Sequence, residues 1–407
     1  MEWSDAPEQA AFRAGVRTLL ESRLPQRYRE MAASDAPTEE QPWQVDRISG
    51  DPDHRAAAEE WRAALAERGW VAPHWPPEYG GAGLSPMNQF ILSQEMARAG
   101  APRVGGTGVG ILGPALIIHG SEEQKREHLP RILSGERVWA QGFSEPGAGS
   151  DLASLQTRAV RDGDEWVING QKIWTTLAHT VDWLFALVRT DPEAPKHRGI
   201  SFLMMDKATP GITVRPLINA AFRHNFNETF FEDVRVPASH LVGEENRGWY
   251  VAMTLMDFER SNVGGAIALE RAVRRLADYA ASEAPERSRL ARLPALRQLL
   301  TAHLIEAHVQ LNFSLRIVSM QARGEVPNHE ASVNKLFGSE ASQRLTNTAT
   351  KLFGLYSNLW DEDEPLSPMQ GSVAQEYCNQ IQNTIAAGTS EIQRNVIATR
   401  GLGLPRA

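Results

Sequence analysis

The sequence predicts an α+β multidomain protein in which a helical part, a β-rich part and a second helical part follow one another. Apolar residues recur at helical spacing before about residue 137 and again after Gly248. Between them, short β-rich runs alternate with turn residues. We therefore expect an N-terminal helical domain over 1–137, a middle β-barrel domain over 138–247 and a C-terminal helical bundle over 248–407. A chain of 407 residues is long enough for these three domains.

The N-terminal part has the spacing of amphipathic helices. The predicted helices cover about 5–30, 55–68, 86–99, 110–119 and 121–133. The last of them has a clear start, because Ser121 is followed three residues later by Gln124. That pair is typical of a capping box, in which each side chain bonds the backbone of the other residue.

The middle part reads as a compact antiparallel β-domain. Its β-rich runs cover 183–189, 199–205, 212–217 and 228–236. A further stretch, 165–173, reads as a strand, an Asn-Gly turn at Asn169 and Gly170, and a returning strand. This hairpin would carry Trp174 and Thr176 back beside the loop at 140–151, which is rich in hydroxyls and small residues. Together they would form one wall of a site for a planar heterocyclic cofactor.

The C-terminal part reads as a bundle of long helices near 249–282, 290–322, 330–353, 370–386 and 391–400. Ser390 and Gln393 form a second candidate capping box, which predicts a helix that begins at about Glu391. The unpaired N–H groups at such a helix start are a natural site for an anion or a carbonyl.

Composition excludes several classes of protein. The net charge is −8, and the lack of a long basic run argues against binding to nucleic acid or to an anionic membrane surface. With Cys378 as the only cysteine, we expect no disulfide and no thiolate metal cluster, which suits a reducing compartment. No apolar run approaches the roughly 18 residues of a membrane span, and the acidic N-terminus lacks a signal-peptide pattern. We therefore predict a cytoplasmic enzyme with no membrane span.

Three short motifs do not carry a function. The run 108–113 matches Gly-x-Gly-x-x-Gly, but no strand precedes it, so a glycine-rich helix entry is predicted. Residues 332–335 match Ser-x-x-Lys without its companion motifs. His303 and His308 are five residues apart, a poor spacing for one helical face, so no metal site is predicted.

Two motifs resemble the acyl-CoA dehydrogenase family. They are Gly-Phe-Ser-Glu-Pro-Gly-Ala-Gly-Ser-Asp at 142–151 and Lys-Ile-Trp-Thr-Thr at 172–176. The resemblance implies FAD as the cofactor, with Gln141, Phe143 and Ser144 along the isoalloxazine ring and with Trp174 and Thr176 over its outer face and N5 edge. We call these five residues the predicted flavin wall. The resemblance also implies that Ser150 lies near the pyrophosphate and the thioester ligand, and that the further cofactor contacts are Gly149, Thr175, Thr389 and Glu391.

The resemblance extends to the C-terminus with one change. Where the family often has Ile-Tyr-Glu-Gly-Thr, with the glutamate as catalytic base, this chain has Ala387 followed by Gly388. The backbone N–H that holds the thioester carbonyl survives this change, and both residues remain candidate substrate contacts. The carboxylate does not survive it.

Another residue must therefore supply the base if the protein is active. A minority of the family, including isovaleryl- and long-chain-type members, has the glutamate on an earlier helix, and Glu259 fits that position in Leu-Met-Asp-Phe-Glu-Arg at 255–260. The alternative is that Glu259 and Arg260 are a solvated pair on a helix surface. Asp257 and Arg260 match family positions near the CoA portion of the ligand.

Membership of this family implies α,β-dehydrogenation of an acyl-CoA to a trans-2-enoyl-CoA, with electron-transfer flavoprotein as the electron acceptor. Two segments, 284–290 and 351–356, depart from the family motifs that reach the FAD of a neighbouring subunit. A related chain could supply what this one lacks, as in bacterial members that process steroid side chains. We therefore expect a homotetramer or an α2β2 heterotetramer. A flavin oxidase on the same fold, or a non-catalytic or half-site subunit, is the alternative function.

Overall fold

The computed structural model describes residues 4–36, 40–255 and 263–405. The described residues form two compact units, one within 1–39, 84–102 and 260–407 and the other within 40–83 and 103–259. The predicted fold class is confirmed, because helices precede and follow a curled sheet in the chain. The predicted domain boundaries stay a prediction.

The elements are as follows. The described helices are α1 (Pro7–Arg23), α2 (Gln26–Ala33), α3 (Pro42–Arg47), α4 (Pro52–Ala66), α5 (Pro86–Ala99), α6 (Gly113–His119), α7 (Glu122–Ser134), α8 (Gly248–Leu255), α9 (Val263–Asp278), α10 (Pro294–Ala322), α11 (His329–Phe353), α12 (Ser372–Asn379) and α13 (Ser390–Val396). The described strands are β1 (Trp139–Gly142), β2 (Arg158–Asp162), β3 (Glu165–Lys172), β4 (Trp183–Arg189), β5 (Ile200–Asp206), β6 (Ile212–Leu217) and β7 (Phe226–Pro237).

The first unit is helical and is built around α9, α10 and α11. Leu276, Leu300 and Leu345, one from each of these helices, belong to a single buried apolar cluster. Its one deeply buried carboxylate among the described residues, Glu95 on α5, forms an ion pair with Arg13 at 2.6 Å. Two further arginines also bond Glu95. A buried charge needs such partners, so this cluster fixes α1 against α5.

The helix starts of the second unit follow their sequence signals. Ser121 and Gln124 form the predicted capping box, with the Gln124 N–H donating to Ser121 Oγ at 3.2 Å and the Ser121 N–H donating to Gln124 Oε1 at 3.0 Å. The helix ends at Gly135, whose φ of 73° favours glycine. The Gly-rich run enters α6 through one wide turn, Gly108–Leu112, in agreement with the predicted helix entry.

The sheet of the second unit has the order β1, β4, β2, β3, β7 and β6, with β5 on β4. Each of the four predicted β-runs is a strand, with bounds that agree to within two residues. The pairs β2 with β3, β3 with β7, β4 with β5, and β6 with β7 are antiparallel, which agrees with the predicted antiparallel β-domain, although no strand was predicted at β2. The pairs of β4 with β1 and with β2 are parallel, which the sequence did not predict. Every residue of β4 is buried, as its continuous apolar run requires.

The predicted Asn-Gly hairpin is wrong. Strand β3 continues through Asn169 and Gly170, and its register against β7 shifts there in a β-bulge. The Asn169 side chain exchanges two hydrogen bonds with Asp233, at 2.9 and 3.0 Å, which stabilises the bulge. Gly170 has a φ of 147°, and a Cβ there would lie 2.7 Å from the Cα of Thr157. The hairpin turn lies earlier, around Gly163, between β2 and β3.

Candidate functional site

Trp174 lies two residues beyond the end of β3. Its φ is 61°, so the backbone leaves the sheet in the left-handed region. The indole is 54% exposed and meets the Phe226 ring edge-on, with 5.8 Å between the ring centroids. An indole anchored at one edge and open to solvent is available to stack on a planar ligand.

The two threonines after Trp174 differ in their surroundings. Thr175 is 1% exposed, and its hydroxyl accepts a hydrogen bond from Thr229 at 3.4 Å. Thr176 is half-buried, and its hydroxyl makes no hydrogen bond to another described residue. Of the two hydroxyls, the one on Thr176 is free to bond a ligand.

The loop after β1 lies directly against this segment. The Ile173 N–H donates to the Ser144 carbonyl at 2.9 Å. Ser144 is therefore hydrogen-bonded to the residue that directly precedes Trp174. The Phe143 ring packs edge-on against two buried rings of β4 and β5. Within the described parts of the chain, neither the Gln141 nor the Ser144 side chain makes a hydrogen bond, although both are half-buried.

The tip of the loop is compact but exposed. Glu145 and Ala148 exchange two backbone hydrogen bonds of 3.0 Å, which close a tight turn. Gly149 and Ser150 follow on the surface, and a Cβ on Gly149 would meet nothing within 4 Å. The Asp151 carboxylate then pairs with Lys196 at 2.6 Å. Backbone and hydroxyl groups at Gly149 and Ser150 are therefore accessible to a phosphate.

A buried ion pair joins the two halves of this region. The Lys172 ammonium is fully buried and contacts Glu145 Oε1 at 2.7 Å and the Phe143 carbonyl at 3.1 Å. The two oxygens of Glu145 also accept the N–H groups of Gln156 and Thr157, at 2.6 and 2.9 Å. The pair thus ties the strand that precedes Trp174 to the loop that carries Ser144.

Burial governs the titration of this pair. Desolvation lowers the pKa of Lys172 to about 8, against the opposing attraction of Glu145. Burial also disfavours the charged form of Glu145, but Lys172 and the N–H donors of Thr157 and Gln156 outweigh it and hold the pKa of that carboxyl below its usual value. Both groups are therefore predominantly charged below about pH 8.

The C-terminal segment belongs to the other unit, and its capping differs from the prediction. Helix α13 begins at Ser390, and its cap is Thr389, whose hydroxyl accepts the Ile392 N–H at 3.2 Å. The predicted box at Ser390 and Gln393 is wrong, because Ser390 lies inside the helix with its buried hydroxyl unbonded among the described residues. The Gln393 amide instead donates to the Ala387 carbonyl at 3.0 Å.

The turn before α13 has an unusual backbone. Ala387 has a φ of 52° and Gly388 a φ of 85°, so two successive residues are left-handed. Lys335 on α11 donates to the Gly388 carbonyl at 2.6 Å, a contact that no sequence motif indicates. Burial lowers the pKa of Lys335. Glu391, in the first turn of α13, is exposed.

Three predicted site residues lie outside the described parts of the chain. They are Asp257, Glu259 and Arg260. The assignment of Glu259 as the base therefore stays a prediction.

The described residues fit a flavin. The predicted flavin wall combines an open indole with half-buried side chains that have hydrogen-bonding capacity to spare, as the face and edge of an isoalloxazine ring require. The sequence did not indicate a role for Lys172 and Glu145, whose ion pair joins the segment before Trp174 to the loop of Ser144, or for Asn227 on β7, which hydrogen-bonds the backbone of Thr175. Lys172 and Glu145 lie inside the two quoted motifs, but β3 alternates between buried and half-buried or exposed residues, so its pattern does not indicate a buried ion pair.

No described helix is long and apolar enough to cross a membrane. Among the same residues, no group of three or more His, Cys, Asp or Glu side chains is arranged to hold a metal ion.

Comparisons with known proteins cover the whole chain. Three family profiles match in order: acyl-CoA dehydrogenase N-terminal domain at 6–136, middle domain at 140–234 and C-terminal domain at 246–402. The acyl-CoA dehydrogenase IpdE1 of Mycobacterium tuberculosis is 37% identical, covering 89% of this chain and 96% of that protein. A chain of the solved Tcur3481-Tcur3483 steroid ACAD is 34% identical to this chain over the full length of both, with a TM-score of 0.83. A chain of the solved ChsE4-ChsE5 complex from Mycobacterium tuberculosis is 33% identical, also over the full length of both chains, with a TM-score of 0.80.

Proposed function

Because the chain belongs to the acyl-CoA dehydrogenase family and is an oxidoreductase, we propose that it uses FAD to convert an acyl-CoA to a trans-2-enoyl-CoA. The observation that carries this proposal is the juxtaposition of Ser144 with the segment of Trp174 and Thr176. It presents an aromatic face beside unbonded hydroxyls, as a flavin needs.

The predicted flavin wall holds the cofactor in this proposal. Trp174 stacks on one face of the ring, while Gln141, Ser144 and Thr176 bond its polar edge. The exposed Gly149 and Ser150 receive the phosphates. When bound, FAD supplies the hydride acceptor for the β-hydrogen of the acyl group. Thr175, Thr389 and Glu391 complete the set of contacts implied by the resemblance.

The proton is removed by Glu259 in this proposal. Its carboxylate takes the acidic proton from the α-carbon, since Ala387 offers no carboxylate at the usual family position. The Ala387 N–H donates to the thioester carbonyl, on which negative charge develops as the proton leaves. Asp257, Arg260, Ser150 and the backbone at Gly388 contact the CoA thioester.

The acyl group and the partners are further parts of the proposal. The solved relative with a TM-score of 0.83 is a steroid ACAD, and the relative with a TM-score of 0.80 is the ChsE4-ChsE5 complex. We therefore propose acyl-CoA thioesters of steroid side chains as the first substrates to test, and an α2β2 heterotetramer alongside a homotetramer. Electron-transfer flavoprotein is the proposed acceptor, and the cytoplasm the proposed location.

The test is anaerobic titration of the FAD-loaded full chain with a panel of straight-chain, branched and steroid side-chain acyl-CoAs. Bleaching of the flavin absorbance by one class supports the proposal and names the substrate. Rapid reoxidation by O₂ would indicate an oxidase instead. Failure of every thioester to bleach a bound flavin would indicate a non-catalytic subunit.

Assembly is tested separately by light scattering at micromolar concentration. We expect the mass of a tetramer, for this chain alone or after addition of a related chain. A monomeric mass in both samples would contradict the proposed assembly.

A further inference from the structure

The segment that carries Trp174 and Thr176 has a costly backbone. Trp174 and Leu177 have φ values of 61° and 50°, a region that residues with side chains rarely adopt. Such a conformation persists only where neighbouring groups determine it. The neighbouring group here is Asn227 on β7, which is fully buried.

Asn227 bonds the backbone of this segment on both sides. The Thr175 N–H donates to the Asn227 carbonyl at 3.0 Å, and the Asn227 side-chain Nδ2 donates to the Thr175 carbonyl at 3.0 Å. A carbonyl oxygen only accepts hydrogen bonds, so the atom of the Asn227 amide that faces Thr175 must be the nitrogen. The orientation of this amide is therefore fixed by the backbone that it supports.

This orientation fixes the state of two histidines. The second Nδ2 hydrogen of Asn227 points to His179 Nδ1, at 3.2 Å, so that ring nitrogen must be an unprotonated acceptor. The Oδ1 of Asn227 faces His224 Nε2 at 2.8 Å, so that nitrogen must carry a hydrogen. A proton on His179 Nδ1 would set two donors against each other. The Asn227 amide could accept a hydrogen bond from the protonated Nδ1 only if it turned over. Its oxygen would then face the Thr175 carbonyl, which is also an acceptor.

The two rings also oppose the charge on each other. His179 and His224 are stacked, with 3.9 Å between their centroids and 20° between their planes. Burial, together with the nearby His224 and Lys207, lowers the pKa of His179. Lys207 bonds the His179 carbonyl, and Asp182, Asp206 and Arg47 lie near Lys207. The remaining charged groups around this cluster are Arg215 on β6, Arg223 next to His224 in the chain, and Glu228 next to Asn227. No carboxylate among the described residues forms an ion pair with His179.

Resting on the proposed function, we propose that Asn227 is the positioning residue of the predicted flavin wall, and that it holds Trp174 and Thr176 in place only while His179 is neutral. Protonation of His179 breaks its bond to Asn227 and releases the Thr175 backbone. The wall then relaxes from its left-handed conformation, and the protein binds FAD less tightly.

The first test is the dissociation constant of FAD for the full chain between pH 5.5 and 8. Affinity should be constant above the ordinary histidine pKa of about 6.5. Because burial lowers the pKa of His179, affinity should begin to fall only at a more acidic pH, by up to about tenfold per pH unit, since one proton is taken up on release. His179→Asn places an amide oxygen where Nδ1 was, so it keeps an acceptor that does not titrate. This variant should retain the affinity at pH 8 and lose the acid dependence.

Two further variants complete the design. Asn227→Asp cannot donate to the Thr175 carbonyl and should weaken FAD binding by about 10- to 100-fold at pH 8. His197→Asn changes an exposed histidine of the same unit and should leave the pH profile as in wild type. Histidine ¹⁵N NMR of the flavin-free protein gives a readout that does not need FAD, and it should show His179 with an unprotonated Nδ1 at pH 7.5.

The outcomes separate this proposal from the proposed function. FAD binding at no pH would overturn the function, and the NMR tautomer would still test the hydrogen-bond network. FAD binding that is independent of pH, or an Asn227→Asp variant with wild-type affinity, would overturn the positioning role. A protonated His179 Nδ1 at pH 7.5 would overturn it as well.

Discussion

Replacement of Lys172 by methionine tests the support behind the predicted flavin wall. The substitution keeps the length of the side chain but removes the ammonium that neutralises Glu145. The Glu145 carboxylate would remain buried with only its two N–H donors, from Gln156 and Thr157. Breaking a buried pair in this way usually costs about 3–5 kcal/mol, which is a large part of the 5–15 kcal/mol that stabilises an ordinary domain.

The assay is urea unfolding of the flavin-free chain at pH 7. Lys172→Met should lower the free energy of unfolding by about 3–5 kcal/mol, and the double variant with Glu145→Gln should recover much of that loss, because no unpaired charge is then buried. The exposed pair of Lys196 with Asp151 supplies the control. Lys196→Met should cost less than about 1 kcal/mol, although its contact is equally short. A cost below 1 kcal/mol for Lys172→Met, or strictly additive single effects, would refute the reasoning.

The pH dependence gives an independent check on the same pair. The pKa of Lys172 is about 8 in the folded protein and about 10.5 in the unfolded chain. The unfolded chain therefore binds more protons between these values, and stability should rise with pH in that window. The shift corresponds to about 3 kcal/mol. A neutral Lys172 amine is easier to bury than the ammonium and can still donate to Glu145 and to the Phe143 carbonyl, whereas methionine makes neither hydrogen bond. Unfolding curves of wild type and Lys172→Met at pH 8 and 10.5 should differ in this sense, and equal slopes for the two proteins would count against it.

Three further predictions concern catalysis, the bulge and the wall. Glu259→Gln should slow flavin reduction by acyl-CoA by about 10²–10⁴-fold with unchanged FAD content, since the amide cannot accept the α-proton; stopped-flow bleaching within a few-fold of wild type would make Glu259 a surface charge. Gly170→Ala should lower the free energy of unfolding by about 1–3 kcal/mol more than Gly163→Ala, because only a methyl group at position 170 would collide with Thr157. Thermal unfolding of the two variants measures this difference, and equal effects would argue against the collision. Trp174→Ala should change the unfolding free energy by less than about 0.5 kcal/mol yet weaken FAD binding about tenfold, as expected for loss of one stacking contact; an unchanged dissociation constant would remove Trp174 from the wall.

Periodicity and capping were enough to predict much of the fold. The apolar run of β4 and the capping box at Ser121 were predictable because each is a pattern of a few adjacent residues. Pairing between distant strands is not encoded in that way. The parallel partners of β4 and the continuation of β3 through Gly170 depend on where β7 and Thr157 lie. An Asn-Gly pair is as compatible with a bulge as with a turn, so tertiary contacts decided between them.

The sequence predicted the residues of the candidate site that would contact a ligand, but not Asn227, which supports them. Trp174 and Ser144 belong to motifs that a resemblance can identify. Asn227 lies about 50 residues further along the chain, and an isolated asparagine in a strand carries no signal of its own. Its role depends on His179 and His224, whose rings stack and bond the Asn227 amide only when the chain is folded.

Backbone strain at Ala387 favours a role for its N–H rather than for its side chain. Alanine in the left-handed region is costly relative to glycine, and nothing in its own side chain offsets that cost. The conformation is instead held from outside, by Gln393 on the Ala387 carbonyl and by Lys335 on the Gly388 carbonyl. Two separate side chains thus maintain a backbone geometry at the position where the family often carries its catalytic glutamate. Loss of the carboxylate with retention of this support is what we expect if the N–H still binds the thioester carbonyl while the base has moved to Glu259.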